Sequence, residues 1–313
     1  MIAPRSRRQR GVALLVALLV VALASVLIAG LLDRGELAYA RTRNQLLATQ
    51  AQDYAQGLEV YAARVLQQAW AANSGSDSSS SPWAVPLPPT PVPNGIIAAT
   101  MRDRNGCFNL NNLVDNAGAA NAPWPDKFRK LLTALQLDPA LTEAVMAWQS
   151  SAPGSDDPFY LAQPVPYRAA KRYFIHVSEL RLVKGVSGDV YAALAPHVCA
   201  LPAGTRINVN TATVPVLMTI TGVSTEQIAR RIWQDGHANY PGLDAEALKT
   251  VVPGLATAAE SKCYGVTSSY FQARGDIMLD GLPFTFFSLI ERRYDGGPDS
   301  GIRVIARSRG SDE

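Results

Sequence analysis

Val12–Leu32 is a run of 21 residues with nothing more polar than Ser25, and no other feature narrows so far what this chain can become. At about 1.5 Å per residue such a helix reaches roughly 30 Å, the thickness of a bilayer's hydrocarbon core. Arg5, Arg7, Arg8 and Arg10 precede the run, with Gly11 between them and it. Basic flanks stay on the cytoplasmic side. The expectation is therefore a single-pass anchor with everything after Asp33 on the far side of the membrane. A secretory signal peptide is the rival reading, but its apolar core spans only about 7–15 residues before a small-residue cleavage site. The run here is longer and offers only Ala29-Gly30 as a cleavage candidate.

Helical character outlasts the hydrophobicity. Between Asp33 and Ala72 there is no proline, and Gly35 and Gly57 are the only glycines. Leu47, Ala51, Tyr54, Leu58, Tyr61 and Val65 recur every three or four residues, which predicts an apolar stripe on a helix continuous with the anchor. A stripe of that width suits packing on a sheet, with a partner helix as the second option. Residues 73–95, rich in Ser and Pro (SGSDSSSSPWAVPLPPTPVPNG within them), cannot prolong the helix and read as a flexible, then partly extended connector.

Beyond the connector the pattern mixes strands and helices. Ile96–Arg102 alternates weakly and meets the turn dipeptide Asn105-Gly106. Asp126 can cap a helix carrying Phe128, Leu131, Leu132 and Leu135. Asp138-Pro139 can open another that buries Leu141, Val145 and Trp148. Ser178 is expected to start a short helix ending at Gly185, and Val190–Leu194 adds a further turn or two. Residues 206–255 read as helix, glycine-containing turn, helix, with Ser224 and Gln227 as a capping box and Ile228 and Ile232 on one face. That pattern resembles the helix-hairpin-helix, or SAM-like, module. The hairpin Gly222-Val223-Ser224 lacks the second glycine that phosphate binding needs, which favours a structural role. The chain closes with strands: Tyr270–Leu279, the hairpin signal Asp280-Gly281, Pro283–Tyr294, and Ile302–Arg307 after a looser turn. The expected class is α+β, with a helical insertion between the first strand and a three-stranded antiparallel meander.

Charge and chemistry exclude much. The formal net charge is +3, and the four leading arginines account for it, leaving the remainder at −1. A nucleic-acid partner gains no support, and Arg230 and Arg231 are too few for strong phosphate binding. A membrane-anchored helix-hairpin-helix DNA receptor is the alternative, and it calls for the basic body and glycine-rich hairpin that this chain lacks. No HExxH, Walker A, GxSxG or dinucleotide fingerprint occurs, and His176, His197 and His237 stand singly, so no enzyme is expected. Cys107, Cys199 and Cys263 have no metal-ligand spacing and allow one disulfide and one spare thiol.

The basic leader ending in glycine, followed by an apolar and then amphipathic helix, resembles a type IV prepilin or pseudopilin. The resemblance implies cleavage by prepilin peptidase between Gly11 and Val12. The fifth residue after that bond is usually Glu and is Val16 here. In a filament that Glu pairs with the N-terminal amine of the preceding subunit, so its loss fits a subunit with no predecessor. CFNLNNL (Cys107–Leu113), PYRAAKRYFIHVSELRLVKG (Pro166–Gly185), HVCALP (His197–Pro202) and INVNTATVPVL (Ile207–Leu217) are similar, in order, to the protein K family of type II secretion.

That resemblance implies a non-catalytic minor pseudopilin at the tip of the pseudopilus, which starts its assembly. It places the anchor in the inner membrane and the C-terminal domain in the periplasm. The I- and J-type minor pseudopilins are the implied partners. The H type, the major pseudopilin, the secretin and secreted cargo are further candidates. The implied fold is a pseudopilin fold, a long N-terminal helix on a small antiparallel sheet, with a large α-helical insertion holding the SAM-like module. Its parts would be a leader (1–11), anchor plus amphipathic helix (12–72), connector (73–95), first part of the sheet (96–112), inserted helical domain (113–205), helix-hairpin-helix module (206–265) and C-terminal meander (266–313). Some relatives pair cysteines matching Cys107 and Cys199, leaving Cys263 spare. Some carry calcium in an acidic loop after a Trp-containing helix. Here Gln149, Ser150 and Ser151 follow Trp148, so Asp156 and Asp157 are the candidate ligands, against the plain reading of a solvated acidic turn.

Overall fold

The computed structural model describes residues 9–73, 75–150, 157–238, 241–252, 258–294 and 301–310. By its internal contacts the chain divides into two units, Met1–Tyr54 and Ala55–Glu313. Helix α1, Gln9–Ala72, begins in the first and ends in the second. Within the first unit the large apolar side chains of Val12–Leu32 are exposed by between 54% (Val16) and 71% (Val26). Apolar surface on that scale needs a solvent other than water, and the length and composition are those of a membrane-crossing helix.

The second unit runs, in order, through strands β1 (Leu87–Val92), β2 (Gly95–Asp103) and β3 (Phe108–Asn109), then helices α2 (Trp124–Ala134), α3 (Leu141–Gln149), α4 (Asp157–Leu161) and α5 (Gly188–Leu194). Two short strands, β4 (Val198–Cys199) and β5 (Ile207–Asn208), lead to α6 (Val214–Leu217), α7 (Glu226–Ala238), α8 (Ala245–Val251) and α9 (Ala258–Ser261). The chain returns through β6 (Tyr264–Gly265) to β7 (Tyr270–Leu279), β8 (Leu282–Arg293) and β9 (Gly301–Arg309). The main sheet has the order β1-β2-β7-β8-β9, each neighbouring pair antiparallel. Everything from β3 to β6 is inserted between two strands that pair side by side. The fold is α+β.

Asp280 (φ 47°) and Gly281 (φ 80°) make the β7–β8 connection, the doubly left-handed turn that matches strand twist and that the dipeptide predicts. The structure departs from the sequence reading in the connector. Leu87–Val92, in the part expected to be extended but loose, is a strand of the main sheet paired with β2. Its prolines are tolerated because β1 is an edge strand and needs no outward-facing N–H. Ser76, Asp77, Ser78, Ser81 and Trp83, just before it, are buried.

The lower part of α1 lies on this sheet. Of the predicted stripe, Leu47, Ala51 and Leu58 are buried, Tyr54 and Val65 are half-buried, and Tyr61 alone is exposed. Ala55, Leu58, Ala62, Leu66 and Ala69 are buried, while Tyr61 is 48% exposed. Ala62, Leu66 and Ala69 form one cluster with Trp83, Phe271 and Ile290. The small alanines let the helix backbone approach closely. Leu58 fills the space over Gly275, where a Cβ would stand 2.8 Å from its Cδ1. Full burial of Leu66 and Phe271 stabilises the contact by about 1.5–3 kcal/mol each.

The insertion has its own core, centred on Phe108, Leu110, Phe128, Leu131, Leu132, Val145, Trp148 and Leu180. Asp138 Oδ1 accepts from the Ala140 N–H, 2.9 Å, before α3 starts at Leu141. Three starts differ from expectation. Asp126 lies in the first turn of α2, which opens at Trp124 after Pro123, and does not cap it. His176, not Ser178, caps the turn Val177–Leu182, with Glu179 completing a capping box. Thr225 Oγ1 accepts from the Ile228 N–H at α7, where Ser224 is expected to cap, and Ala229 and Ile232 are buried while Ile228 is 38% exposed.

Candidate functional site

The feature that sequence reasoning missed is a set of buried asparagines that hold the insertion on the sheet. An amide offers two donors and an acceptor with two lone pairs, so buried it must find several partners at once. Asn109 accepts from the N–H groups of Asn111 and Leu201 and donates to the carbonyls of Leu201 and Pro202, all within 3.1 Å. Asn111 donates to Phe174 O and Leu201 O and accepts from Phe174 N–H. Asn112 spans Thr205 O and Gly204 N–H, both 2.8 Å. Asn105 donates to Arg206 O and accepts from the N–H groups of Ser269 and Tyr270. Asn208 donates to Asp77 O and Ser268 Oγ, and Asn210 brackets Leu243 through both N–H and C=O. All but Asn105, which stands two residues before the first motif, lie in CFNLNNL and INVN, and their contacts draw together chain segments up to 165 positions apart. The signal was an Asn set among apolar residues.

Covalent and ionic ties reinforce this junction. Cys107 and Cys199 form a disulfide beside the parallel β3–β4 pair, closing the insertion at its root. Closing a loop of 92 residues is worth about 4–5 kcal/mol in the chain-entropy picture. Cys263 is a buried thiol outside the disulfide, and burial pushes it up to about 11. Lys127 Nζ reaches both Glu260 carboxylate oxygens at 2.7 Å, Thr221 Oγ1 donates to the same carboxylate, and the ammonium lies 4.7 Å over the Tyr264 ring. Asp77 accepts from Arg292, from the Ser268 N–H at 2.9 Å and from Trp83 Nε1 at 3.2 Å. Arg292 itself lies over the rings of Trp70 and Phe271. On the helix–sheet contact, Arg307 grips both oxygens of Glu59 at 2.7 Å while Ser288 donates to one of them. Burial works to raise Glu59, yet these bonds together hold its carboxyl below the ordinary value. Asp103 goes the other way. Desolvation pushes it up to about 6, against the opposing bonds from Thr211 and the Asn105 N–H.

His176 is spent on its cap, His197 Nδ1 lies 2.8 Å from Thr213 Oγ1, and His237 Nδ1 lies 2.9 Å from Trp233 O. Among the described residues no three His, Cys, Asp or Glu side chains gather where a metal could be held. Of the two candidate calcium ligands, Asp156 lies outside the described residues, and Asp157 opens α4 with its side chain undescribed. Gln149 stands buried where an acid is expected. Its Nε2 donates to Leu110 O and Val145 O, and its Oε1 has no partner among the described residues. Val12, the candidate first residue after cleavage, is an exposed position near the start of α1, and the Gly11 backbone is helical.

Residues 106–203 match the family model described as type II secretion system (T2SS), protein K. The type II secretion system protein K of Pseudomonas aeruginosa is 34% identical over 97% of this chain and 94% of its own length. That of Pectobacterium carotovorum is 39% identical over 66% of this chain and 67% of its own length. A chain from the crystal structure of the GspK-GspI-GspJ complex of the enterotoxigenic Escherichia coli type 2 secretion system superposes with a TM-score of 0.70. The two are 27% identical, over 87% of this chain and 99% of that one.

Proposed function

This chain belongs to the protein K family of the type II secretion system, a family of minor pseudopilins, and from that premise we propose that it caps the pseudopilus tip and seeds its assembly. The observation that carries the reading is the insertion β3–β6, clamped by its asparagines, disulfide and buried ion pairs onto a sheet whose other half packs on the pilin-like helix. A bulk of that size held rigidly beside the sheet leaves no place for a subunit above it, so growth proceeds from below. Val16, where a filament subunit would carry Glu, supports a subunit with no predecessor, since a carboxylate without its amine would be costly inside a membrane.

The partners proposed are the I- and J-type minor pseudopilins, because the structural relative crystallised in a complex with proteins of those types. The exposed apolar segment would sit in the inner membrane and the second unit in the periplasm. Residues 206–265 act as a structural helix-hairpin-helix module. Arg230 is engaged by Glu226 at 2.5 Å, and the turn at Gly222 lacks the second glycine, so a DNA receptor is not supported. No enzymatic role is proposed. Asp156 and Asp157 remain the calcium ligands to test.

Prepilin peptidase is expected to cut between Gly11 and Val12. N-terminal sequencing of the chain recovered from membranes should read from Val12, and Gly11→Asp should block cleavage and fail to restore secretion to a strain lacking the protein. Recovery from a site near Ala29-Gly30 would instead mean a secretory signal peptide, and full secretion by the uncleaved variant would remove the pseudopilin assignment's functional content.

A further inference from the structure

Between the sheet face turned away from α1 and the inserted domain runs a cleft of about 1160 Å³. That exceeds the usual 300–1,000 Å³ or so of a small-molecule pocket. Four arginines line it from both walls: Arg102 and Arg274 on the sheet, Arg104 just after β2, and Arg181 opposite, in the turn before α5. Among the described residues lining it the single carboxylate is Asp103, already committed to Thr211 Oγ1 and the Asn105 N–H. Arg102 and Arg181 face no carboxylate among the described residues, and Arg181 instead stacks 4.2 Å over the Tyr191 ring. Arg274 has Asp276 at 2.9 Å, outside the cleft lining. His176 adds a further polar group at one end.

We propose that this cleft binds an extended acidic segment of a partner protein. Guanidinium groups match carboxylates in a planar, two-bond geometry and keep their charge at any physiological pH. The arginines come from separate elements on facing walls rather than converging on one point, which disfavours a compact phosphate. Val177, Phe287 and Tyr191 lie among them. An extended chain presents successive side chains to opposite sides, so a segment with pairs of adjacent acidic residues separated by single apolar ones would offer both carboxylates and apolar groups to each wall. The inference is independent of the tip assignment, because it rests on the cleft's charge alone.

The test uses the full chain in detergent and a fluorescein-labelled dodecapeptide of four Glu-Glu-Val repeats, read by fluorescence anisotropy. Binding should weaken with rising salt. Arg102→Glu combined with Arg181→Glu should reduce affinity by more than about tenfold, as reversal of facing charges does. Arg230→Glu, the same charge change on exposed α7, should leave it unchanged. Arg102→Gln with Arg181→Gln gives a milder pair for which thermal melts check folding, and it too should weaken binding. Absence of binding, equal affinity for a peptide with Lys in place of Glu, or equal loss from the Arg230 control would overturn the proposal. Displacement by inorganic tripolyphosphate at far lower concentration than by unlabelled peptide would assign the cleft to phosphate and overturn it as well.

Discussion

Replacing Asp77 with Ala should destabilise the second unit more than any surface substitution of that size. Asp77 and Arg292 are almost fully buried, with side chains 4% and 1% exposed. Removing the carboxylate takes away an acceptor for the Ser268 N–H and Trp83 Nε1, and leaves a guanidinium whose Nη1 already lacks a partner without its counter-ion. Breaking one side of a buried pair costs about 3–5 kcal/mol, mostly the penalty of the orphaned charge. For a chain of this size each kcal/mol moves Tm by roughly 2–4 °C, so a drop of about 6–20 °C is expected. Urea and thermal unfolding, followed by circular dichroism, would measure it. Asp77→Ala with Arg292→Met removes both charges and keeps apolar volume between Trp70 and Phe271, so the double variant should recover much of the loss. The reasoning is refuted if Asp77→Ala costs less than about 1 kcal/mol, the level of an exposed pair, or if the double variant is no better than the single one.

Asp103 should make stability fall as pH rises between about 4 and 6, since its folded value of about 6 lies above the 3.8 of an ordinary Asp and the unfolded chain gives up its proton first. Glu59 and Glu260 are both held below 4.5, so what they contribute is present above that pH and is lost only in more acid solution. Burial holds His197 and His237 below the ordinary histidine value, alike in wild type and variant. Asp103→Asn should therefore flatten the difference in Tm between pH 5 and pH 7 relative to wild type, and an unchanged difference would contradict the assignment. Calcium at concentrations that saturate a real site should leave Tm where it is, given the few carboxylates after Trp148. A shift of several degrees, reversed by chelator, would establish a site at Asp156 and Asp157.

What could be read in advance, and what could not, follows from the range of each interaction. The anchor and the strand Tyr270–Leu279 with its Asp280-Gly281 turn are written locally, in runs of apolar residues, β formers and one turn dipeptide. The Cys107–Cys199 pairing was suggested by family resemblance, since three cysteines leave the choice open. The Ser/Pro-rich stretch misled because its composition looks the same whether it floats or is pinned. It is pinned by Asp77 to Arg292, 215 positions away, which no local pattern encodes. The stripe on α1 was legible at Leu47, Ala51 and Leu58 but not at Tyr61, which is exposed, because close approach to the sheet selects the small Ala55, Ala62 and Ala69. The asparagines were visible as motif letters. Their task was not, because each amide serves backbone groups that only the fold brings near.

The central claim is that this chain joins the I- and J-type minor pseudopilins at the head of the pseudopilus. The most direct measurement is to co-express the full chain with both partners from the same organism, purify through a tag on this chain in detergent, and determine the mass of the eluted species. A complex containing all three, lost when either partner is omitted or when the insertion is destabilised by Asp77→Ala, is the expected result. Elution of the well-folded chain alone would contradict it.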